Sequence, residues 1–217
     1  MRTPRRLLAL TPGKATSRSD VPALARAIGR AFEGGLPAVL LREPGLADRD
    51  LFELAGTVTE IARRAGDDAP WVGVHDSVHV AFACGADGVH LGFRSLPLEV
   101  ARPLALGRCA LGLSAHDGDD RERWKLADYL FFGPVRRTPS KEGLLEPTGF
   151  EGLASATRAA AAPVFALGGM RPEDVEPALR AGSAGVAVLS RILAEDDPRA
   201  ATEAFLVALD AAEEALS

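Results

Sequence analysis

Two stretches of the sequence have the same pattern of small residues and glycines. Residues 83–89 read ACGADGV, and residues 180–186 read RAGSAGV. In each, an apolar run begins three residues after the first glycine. Helices commonly end at a glycine, because glycine enters the left-handed region without a steric penalty. Both stretches therefore fit a helix end that turns into the next strand, which is the repeating unit of a β/α protein.

Outside these two stretches, short apolar runs alternate with longer amphipathic segments along the whole chain. Each run is four or five residues long and continuous rather than alternating, which is typical of strands buried on both faces. The eight runs are Leu7–Leu10, Ala38–Leu41, Trp71–Val74, Gly88–Leu91, Ala110–Leu113, Tyr129–Phe132, Val164–Leu167 and Gly185–Leu189.

The segments between the runs have helical patterns. Val21–Phe32 is apolar on one face, Asp48 is expected to cap a second helix, and Pro172 is expected in the first turn of another. Asp197 precedes a terminal helix that extends through Leu209. Eight strands with helices between them predict an α/β fold, a closed (β/α)8 TIM barrel that forms one domain over residues 1–217. A doubly wound open sheet is the structural alternative.

The composition is that of an ordinary globular protein. The chain has 217 residues and a formal net charge of −5, and this negative charge argues against a nucleic-acid partner. No apolar stretch approaches the length of a membrane span, so no membrane partner is expected. The two cysteines, Cys84 and Cys109, lack metal-type spacing, and a reduced, cytoplasmic setting is the simpler interpretation.

In a barrel of this kind, the residues just after each strand carry the function. Gly168 and Gly169 follow the seventh run, and Leu189 and Ser190 lie at the end of the eighth, where such barrels usually bind phosphate. Glycines let backbone N–H groups approach phosphate oxygens, and a short helix beginning near Ser190 would point its positive end there. The alternative is that the two glycines only form a tight turn.

A second candidate for anion binding is the loop 133–141, which reads GPVRRTPSK. Thr138, Ser140 and Lys141 offer two hydroxyls and a positive charge, whereas Arg136 and Arg137 fit an ordinary solvated loop.

Histidines supply the candidates for proton transfer. His116 lies two residues beyond Ser114 at the end of the fifth run, where an imidazole can take and return protons near neutral pH. His75 stands beside Asp76 after the third run, and Asp76 is the metal candidate of the two. His90 lies inside a strand, where a packing role is expected.

These residues, in this order, resemble the thiamine phosphate synthase and thiazole tautomerase superfamily along nearly the whole chain. The matching segments are His75-Asp76, Gly85–Gly92, Gly112–His116, Gly133-Pro134 with Thr138 and Lys141, and Gly168-Gly169.

The resemblance implies two candidate enzyme activities. The synthase joins a pyrimidine diphosphate to a thiazole phosphate with Mg²⁺. The synthase pattern keeps Arg42, Asp76, Ser140 and Lys141, but Pro44 replaces its lysine and Ser95 replaces its second Mg²⁺-binding aspartate. The loss of one anionic ligand and one phosphate-binding lysine weakens the synthase interpretation.

The tautomerase branch isomerises a thiazole carboxylate phosphate by proton transfer and needs no cofactor. Sequences of this branch resemble this chain at Ser95-Leu96-Pro97, and they use the histidine that corresponds to His116 as the acid/base. The leading hypothesis is therefore a thiazole tautomerase-like isomerase with His116 and Ser114 as catalytic residues. Substrate and phosphate would be bound by the residues at the strand ends and in the following loops, namely Arg42, His75, Thr138, Ser140, Lys141, Gly168, Gly169, Leu189 and Ser190. A synthase with Mg²⁺ at Asp76 is the second hypothesis, and a non-catalytic phosphate-binding or regulatory protein is the third. Barrels of this family often pair, so a homodimer is left open.

Overall fold

The strands of the computed structural model close into a barrel. The structure describes residues 2–105, 107–138 and 146–217. The strand order is β1 to β8 around the barrel, all neighbours are parallel, and β1 closes on β8 with Leu7 opposite Val186. The strands are β1 (Leu7–Leu10), β2 (Ala38–Leu41), β3 (Trp71–His75), β4 (Gly88–Leu91), β5 (Ala110–Ala115), β6 (Tyr129–Phe132), β7 (Val164–Leu167) and β8 (Gly185–Val188). The predicted (β/α)8 barrel is confirmed, and the open-sheet alternative is wrong.

Helices connect the strands on the outside of the barrel. They are α1 (Val21–Glu33), α2 (Asp48–Arg63), α3 (Val78–Cys84), α4 (Leu98–Leu104), α5 (Gly149–Ala159), α6 (Val175–Arg180) and α7 (Pro198–Leu216). Short 3₁₀ turns lie at Arg18–Asp20, Gly66–Asp68, Arg121–Leu126 and Pro172–Asp174. Within the described ranges, no helix is both long enough and apolar enough to span a bilayer.

Three local predictions differ from the structure. Asp48 is the first residue of α2 rather than its cap, which is Ala47. The terminal helix continues past Leu209 to Leu216. The short helix expected near Ser190 is absent from this described segment, where residues 191–196 form turns. Ile192 and Leu193 are buried in the core, and the chain turns to bury them before α7 begins.

The interior of the barrel is filled by aromatic side chains. Trp71, Tyr129, Phe131 and Phe165 are fully buried there, and the Trp71 and Tyr129 rings meet edge to face with centroids 5.7 Å apart. Strand glycines make room for these rings. A Cβ on Gly112 would lie 2.1 Å from Cζ of Tyr129. The aromatic layer therefore fills the lower part of the barrel, and a cavity opens at the carboxyl ends of the strands.

This packing makes Gly112 intolerant of any side chain. Gly112→Ala should lower the free energy of unfolding by about 3 kcal/mol, because the added methyl group overlaps the Tyr129 ring in a packed core. Gly29→Ala in α1 is the matched control, because nothing lies within 4 Å of its added Cβ. That control should be neutral or stabilising by up to about 1 kcal/mol, since alanine favours a helix. Urea denaturation monitored by circular dichroism compares the two; equal stabilities would contradict the packing argument.

Candidate active site

One cavity of about 1000 Å³ opens at the carboxyl ends of the strands. Most of the residues predicted for the site line it: Arg42, His75, Ser114, His116, Thr138, Gly168, Gly169, Leu189 and Ser190. Asp76 is not among the lining residues but directly follows His75 at the rim. Ser140 and Lys141 lie outside the described residues. The strand ends therefore bring nine of the predicted side chains and turns around one cavity.

The turn after β7 has the geometry expected of a glycine pair. Gly168 and Gly169 have φ values of +100° and +66°, in the region that favours glycine. The loop after β6 packs directly on this turn, since the Arg136 amide donates to the Gly168 carbonyl at 3.0 Å. A Cβ on Gly169 would lie 2.5 Å from the Arg137 carbonyl oxygen. This close packing alone accounts for the two glycines, so phosphate binding at this turn stays a prediction.

Arginines dominate the charge of the cavity. Six line it, namely Arg42, Arg94, Arg136, Arg137, Arg171 and Arg191, against the two carboxylates Glu173 and Asp174. Both carboxylates are paired with arginines. Asp174 is buried and accepts hydrogen bonds from Nε and Nη2 of Arg136 at 2.9 and 2.7 Å, and Glu173 lies 3.6 Å from Arg171.

The other four guanidinium groups form no ion pair with a carboxylate of the described residues. They belong to Arg42, Arg94, Arg137 and Arg191. A concave surface lined by unpaired cations concentrates positive potential, which attracts anionic ligands. The described lining of the cavity therefore carries an excess of positive charge, which favours anionic ligands, in a protein of net negative charge.

The arginines form two groups on opposite sides of the barrel mouth. The β6–β8 region contains Arg136 and Arg137 after β6, Arg171 after β7 and Arg191 after β8; the β2–β4 region contains Arg42 after β2 and Arg94 after β4. In a closed barrel of eight strands, β3 stands opposite β7. One cavity thus presents two separated positive regions, and β5, with Ser114 and His116, lies between them in the strand order.

Asp76 lies at the centre of a hydrogen-bonded cluster beside the β2–β4 region. Its carboxylate is 3.1 Å from Nδ1 of His75 and accepts a hydrogen bond from the hydroxyl of Ser95, which itself accepts one from the Gly92 amide. Burial raises the pKa of Asp76, but the hydrogen bonds from His75 and Ser95 outweigh it and lower the pKa overall. The carboxylate is therefore held in its anionic form.

The chemistry of this cluster decides whether a divalent cation fits. Throughout the described part of the chain, no group of three or more acidic, histidine or cysteine side chains is arranged to hold a metal ion. Mg²⁺, however, is commonly held by one or two carboxylates together with phosphate oxygens of a substrate. Asp76 fits this minimal role, in which the anionic ligand supplies most of the coordination.

His90 has more than the packing role expected of it. Its ring is buried and stacked on Phe131 at a centroid distance of 4.1 Å, and its Nε2 lies 3.0 Å from the Ser114 hydroxyl. Burial, followed by the nearby His75, lowers the pKa of His90 well below its ordinary value of 6.5. A neutral imidazole thus orients the Ser114 hydroxyl from inside the barrel.

His116 is also held in place at the rim. Its backbone amide donates to Oδ2 of Asp119 at 2.8 Å, and its Nδ1 lies 3.8 Å from the same oxygen. The side chain is 18% exposed and faces the cavity, where a proton donor or acceptor would reach a bound ligand.

Five of the six cavity arginines had no site role predicted from the sequence, namely Arg94, Arg136, Arg137, Arg171 and Arg191. Arg171 lies two residues after Gly169, and Arg191 directly follows Ser190. Their positions after β7 and β8 could therefore have indicated that they line the site. Arg136 and Arg137 were expected to be solvated; both are exposed, yet both line the cavity.

The low pKa of His90 makes stability depend on pH. Below pH 6.5 the unfolded chain binds a proton at this residue that the folded protein does not, so stability should fall as the pH falls. His90→Gln should reduce the loss of unfolding free energy between pH 7.0 and 5.5 by about 1 kcal/mol. Ser114→Ala, which keeps the imidazole, should retain the wild-type slope. Urea denaturation at both pH values measures this, and an unchanged slope in His90→Gln would contradict the assignment.

Comparison with known proteins places the chain in a family. The family model described as thiamine monophosphate synthase matches residues 9–192. A putative thiamine-phosphate synthase of Geobacter sulfurreducens is 42% identical over 181 residues, which cover 82% of this chain and 84% of that protein. A thiamine-phosphate synthase of Moorella thermoacetica is 37% identical over 173 residues, covering 79% of this chain and 81% of that protein.

A solved structure agrees with these relatives. The thiamine phosphate pyrophosphorylase from Pyrococcus furiosus superposes with a TM-score of 0.80 at 29% identity, covering 95% of this chain and 96% of that chain. The family match spans most of the barrel, including every strand end that lines the cavity. The chain therefore belongs to the thiamine monophosphate synthase family.

Proposed function

We propose that the protein is a thiamine-phosphate synthase, a transferase that joins a pyrimidine diphosphate to a thiazole phosphate. The observation that carries this proposal is the pair of positive regions on opposite sides of one cavity. Two anionic substrates that react with each other need two anion sites facing a common space. The relatives reported above, which are named for the synthase, support the same choice.

This proposal reverses the order of the hypotheses drawn from sequence. The tautomerase-like isomerase was the leading one, yet the relatives support the synthase instead. Pro44 and Ser95 remove charged groups that the synthase pattern contains. Arginines that line the cavity supply positive charge that the sequence did not reveal.

In the proposed reaction, the bond between the pyrimidine methylene carbon and the diphosphate oxygen breaks, and diphosphate leaves with the electron pair. The thiazole nitrogen then donates its lone pair to the methylene cation and forms the new C–N bond. The β2–β4 region would hold the diphosphate, and its positive charge would stabilise the charge that develops on the leaving group. The β6–β8 region, with Gly168, Gly169 and Ser190, would hold the thiazole phosphate.

Residues between the two regions would position the reacting groups. Ser114 points into the cavity with its hydroxyl oriented by His90, and His116 stands beside it. Asp76 is the carboxylate that would hold Mg²⁺ together with the diphosphate. When bound, Mg²⁺ supplies further positive charge against the leaving diphosphate.

The first test is formation of thiamine phosphate from the two substrates, followed by chromatography. Asp76→Asn should lower kcat/KM on the order of 100-fold, because it removes the anionic group that would hold the metal. Asp210→Asn removes an exposed carboxylate from the outer helix α7 and should leave the rate unchanged. Absence of product from folded wild-type protein, with Mg²⁺ present, would reject the proposal.

A tautomerase reaction is the second candidate, favoured by one observation. His116 lines the cavity, and its Nδ1 lies 3.8 Å from a carboxylate oxygen of Asp119, as expected of a group that moves a proton.

This candidate predicts aromatisation of a thiazole carboxylate phosphate that continues in the presence of chelator. His116→Asn should slow it at least about 100-fold while leaving substrate affinity nearly unchanged. Ultraviolet absorbance of the product measures the rate. Full activity of the variant would reject His116 as acid/base, and tight ligand binding without turnover in either assay would favour the non-catalytic hypothesis.

A further inference from the structure

We propose that Arg94 is a diphosphate-binding residue, and that with Arg42 it lets the β2–β4 region bind diphosphate without a metal ion. The inference rests on the proposed function and assigns the binding chemistry within it. Arginine guanidinium groups would here supply charge neutralisation that a Mg²⁺ ion held by two carboxylates would otherwise provide. The relevant ligand chemistry is a diphosphate ester or free pyrophosphate.

The position of Arg94 is fixed by a tight turn. The Ser95 amide donates to the Gly92 carbonyl at 3.2 Å, which closes a four-residue turn with Phe93 and Arg94 at its two central positions. Phe93 is 91% exposed; Arg94 is also exposed, but it lines the cavity. The hydroxyl of Ser95 ties the end of the turn to Asp76. The turn thus presents Arg94 to the ligand space from a backbone that is anchored at both ends.

The charge balance of this side of the cavity favours an anion without a metal. Arg42 and Arg94 carry two positive charges that no described carboxylate neutralises by an ion pair, and Asp76 is the one carboxylate of the Ser95 cluster. A site with two carboxylates repels diphosphate until a cation binds. Here the excess of positive charge attracts it directly.

Ser95 leaves this site with one carboxylate and satisfies that carboxylate by a hydrogen bond. Its hydroxyl donates to Asp76, so the carboxylate already has hydrogen-bond partners in Ser95 and His75. A planar guanidinium can pair with two phosphate oxygens at once, which gives arginine both charge and geometric fit for diphosphate. Arg94 and Asp76 are therefore suited to separate tasks, the first for the anion and the second for a metal that accompanies it.

The test is isothermal titration of the full-length protein with inorganic pyrophosphate, in chelator and then with Mg²⁺. Wild-type protein should bind in chelator, and Arg94→Ala should weaken that binding at least about tenfold, the loss expected for a hydrogen bond to a charged group. Arg94→Lys should recover part of the affinity, because it keeps the charge without the paired geometry. Arg158→Ala is the matched control, because it removes an exposed arginine in the last turn of the outer helix α5, which does not line the cavity, and it should change the affinity less than twofold.

A second variant tests the sign of the charge effect. Ser95→Asp should weaken pyrophosphate binding in chelator and make it depend on Mg²⁺, because it adds a negative charge beside Asp76. Circular dichroism of each variant checks that it is folded. Equal affinities of Arg94→Ala and wild type, a comparable loss in Arg158→Ala, or wild-type binding only with Mg²⁺ would each overturn the inference. These binding results stand apart from the synthase assay, so failure of the proposed function is seen as absent product, whatever the pyrophosphate affinity.

Discussion

The fit of large aromatic rings against strand glycines is the constraint on which the rest of the molecule depends. Trp71 and Tyr129 occupy the space that side chains on Gly73, Gly88 and Gly112 would fill. Because this layer fills the barrel below, the cavity lies at the carboxyl ends of the strands. The same layer holds His90 against Phe131 and so fixes the imidazole that contacts Ser114. Packing in the core therefore determines the orientation of a polar group at the site.

Selective pairing of charges determines what the cavity attracts. Arg136 is held by Asp174, a carboxylate that is 3% exposed, and its guanidinium lies 4.9 Å from the centre of the Phe150 ring. That pair is structural, since removing either partner would leave a charge without compensation near the core. The arginines without such partners keep their charge available for ligands. A protein with a net charge of −5 can thus present a positive cavity, because overall charge says little about a local surface.

The sequence was sufficient for the barrel because its strands are short, continuous and apolar. Five of the eight predicted runs match the strands residue for residue, and the others differ only at their carboxyl ends, where His75 and Ser114 prove to belong to strands. Positions at and after the strand ends also predicted nine of the residues that line the cavity. The cavity arginines were harder to assign, because the direction of a long side chain depends on the turn that carries it. The short helix expected near Ser190 does not form for a related reason, because the chain turns there to bury Ile192 and Leu193 in the core.

The role of Asp76 depends on what surrounds it rather than on its own identity. A carboxylate that belongs to a cluster of carboxylates binds metal and repels phosphate, whereas a lone carboxylate beside two arginines lies in a region of net positive charge. The left-handed backbone of Asp76, with φ at 64°, holds it at the rim next to His75, and the Gly92–Ser95 turn reaches it from the neighbouring strand. Replacing a carboxylate by Ser95 in that turn removes a negative charge at the point where Arg94 enters the cavity. The two residues are adjacent in one turn, so the change that weakens a metal site is the same change that leaves the guanidinium available to an anion.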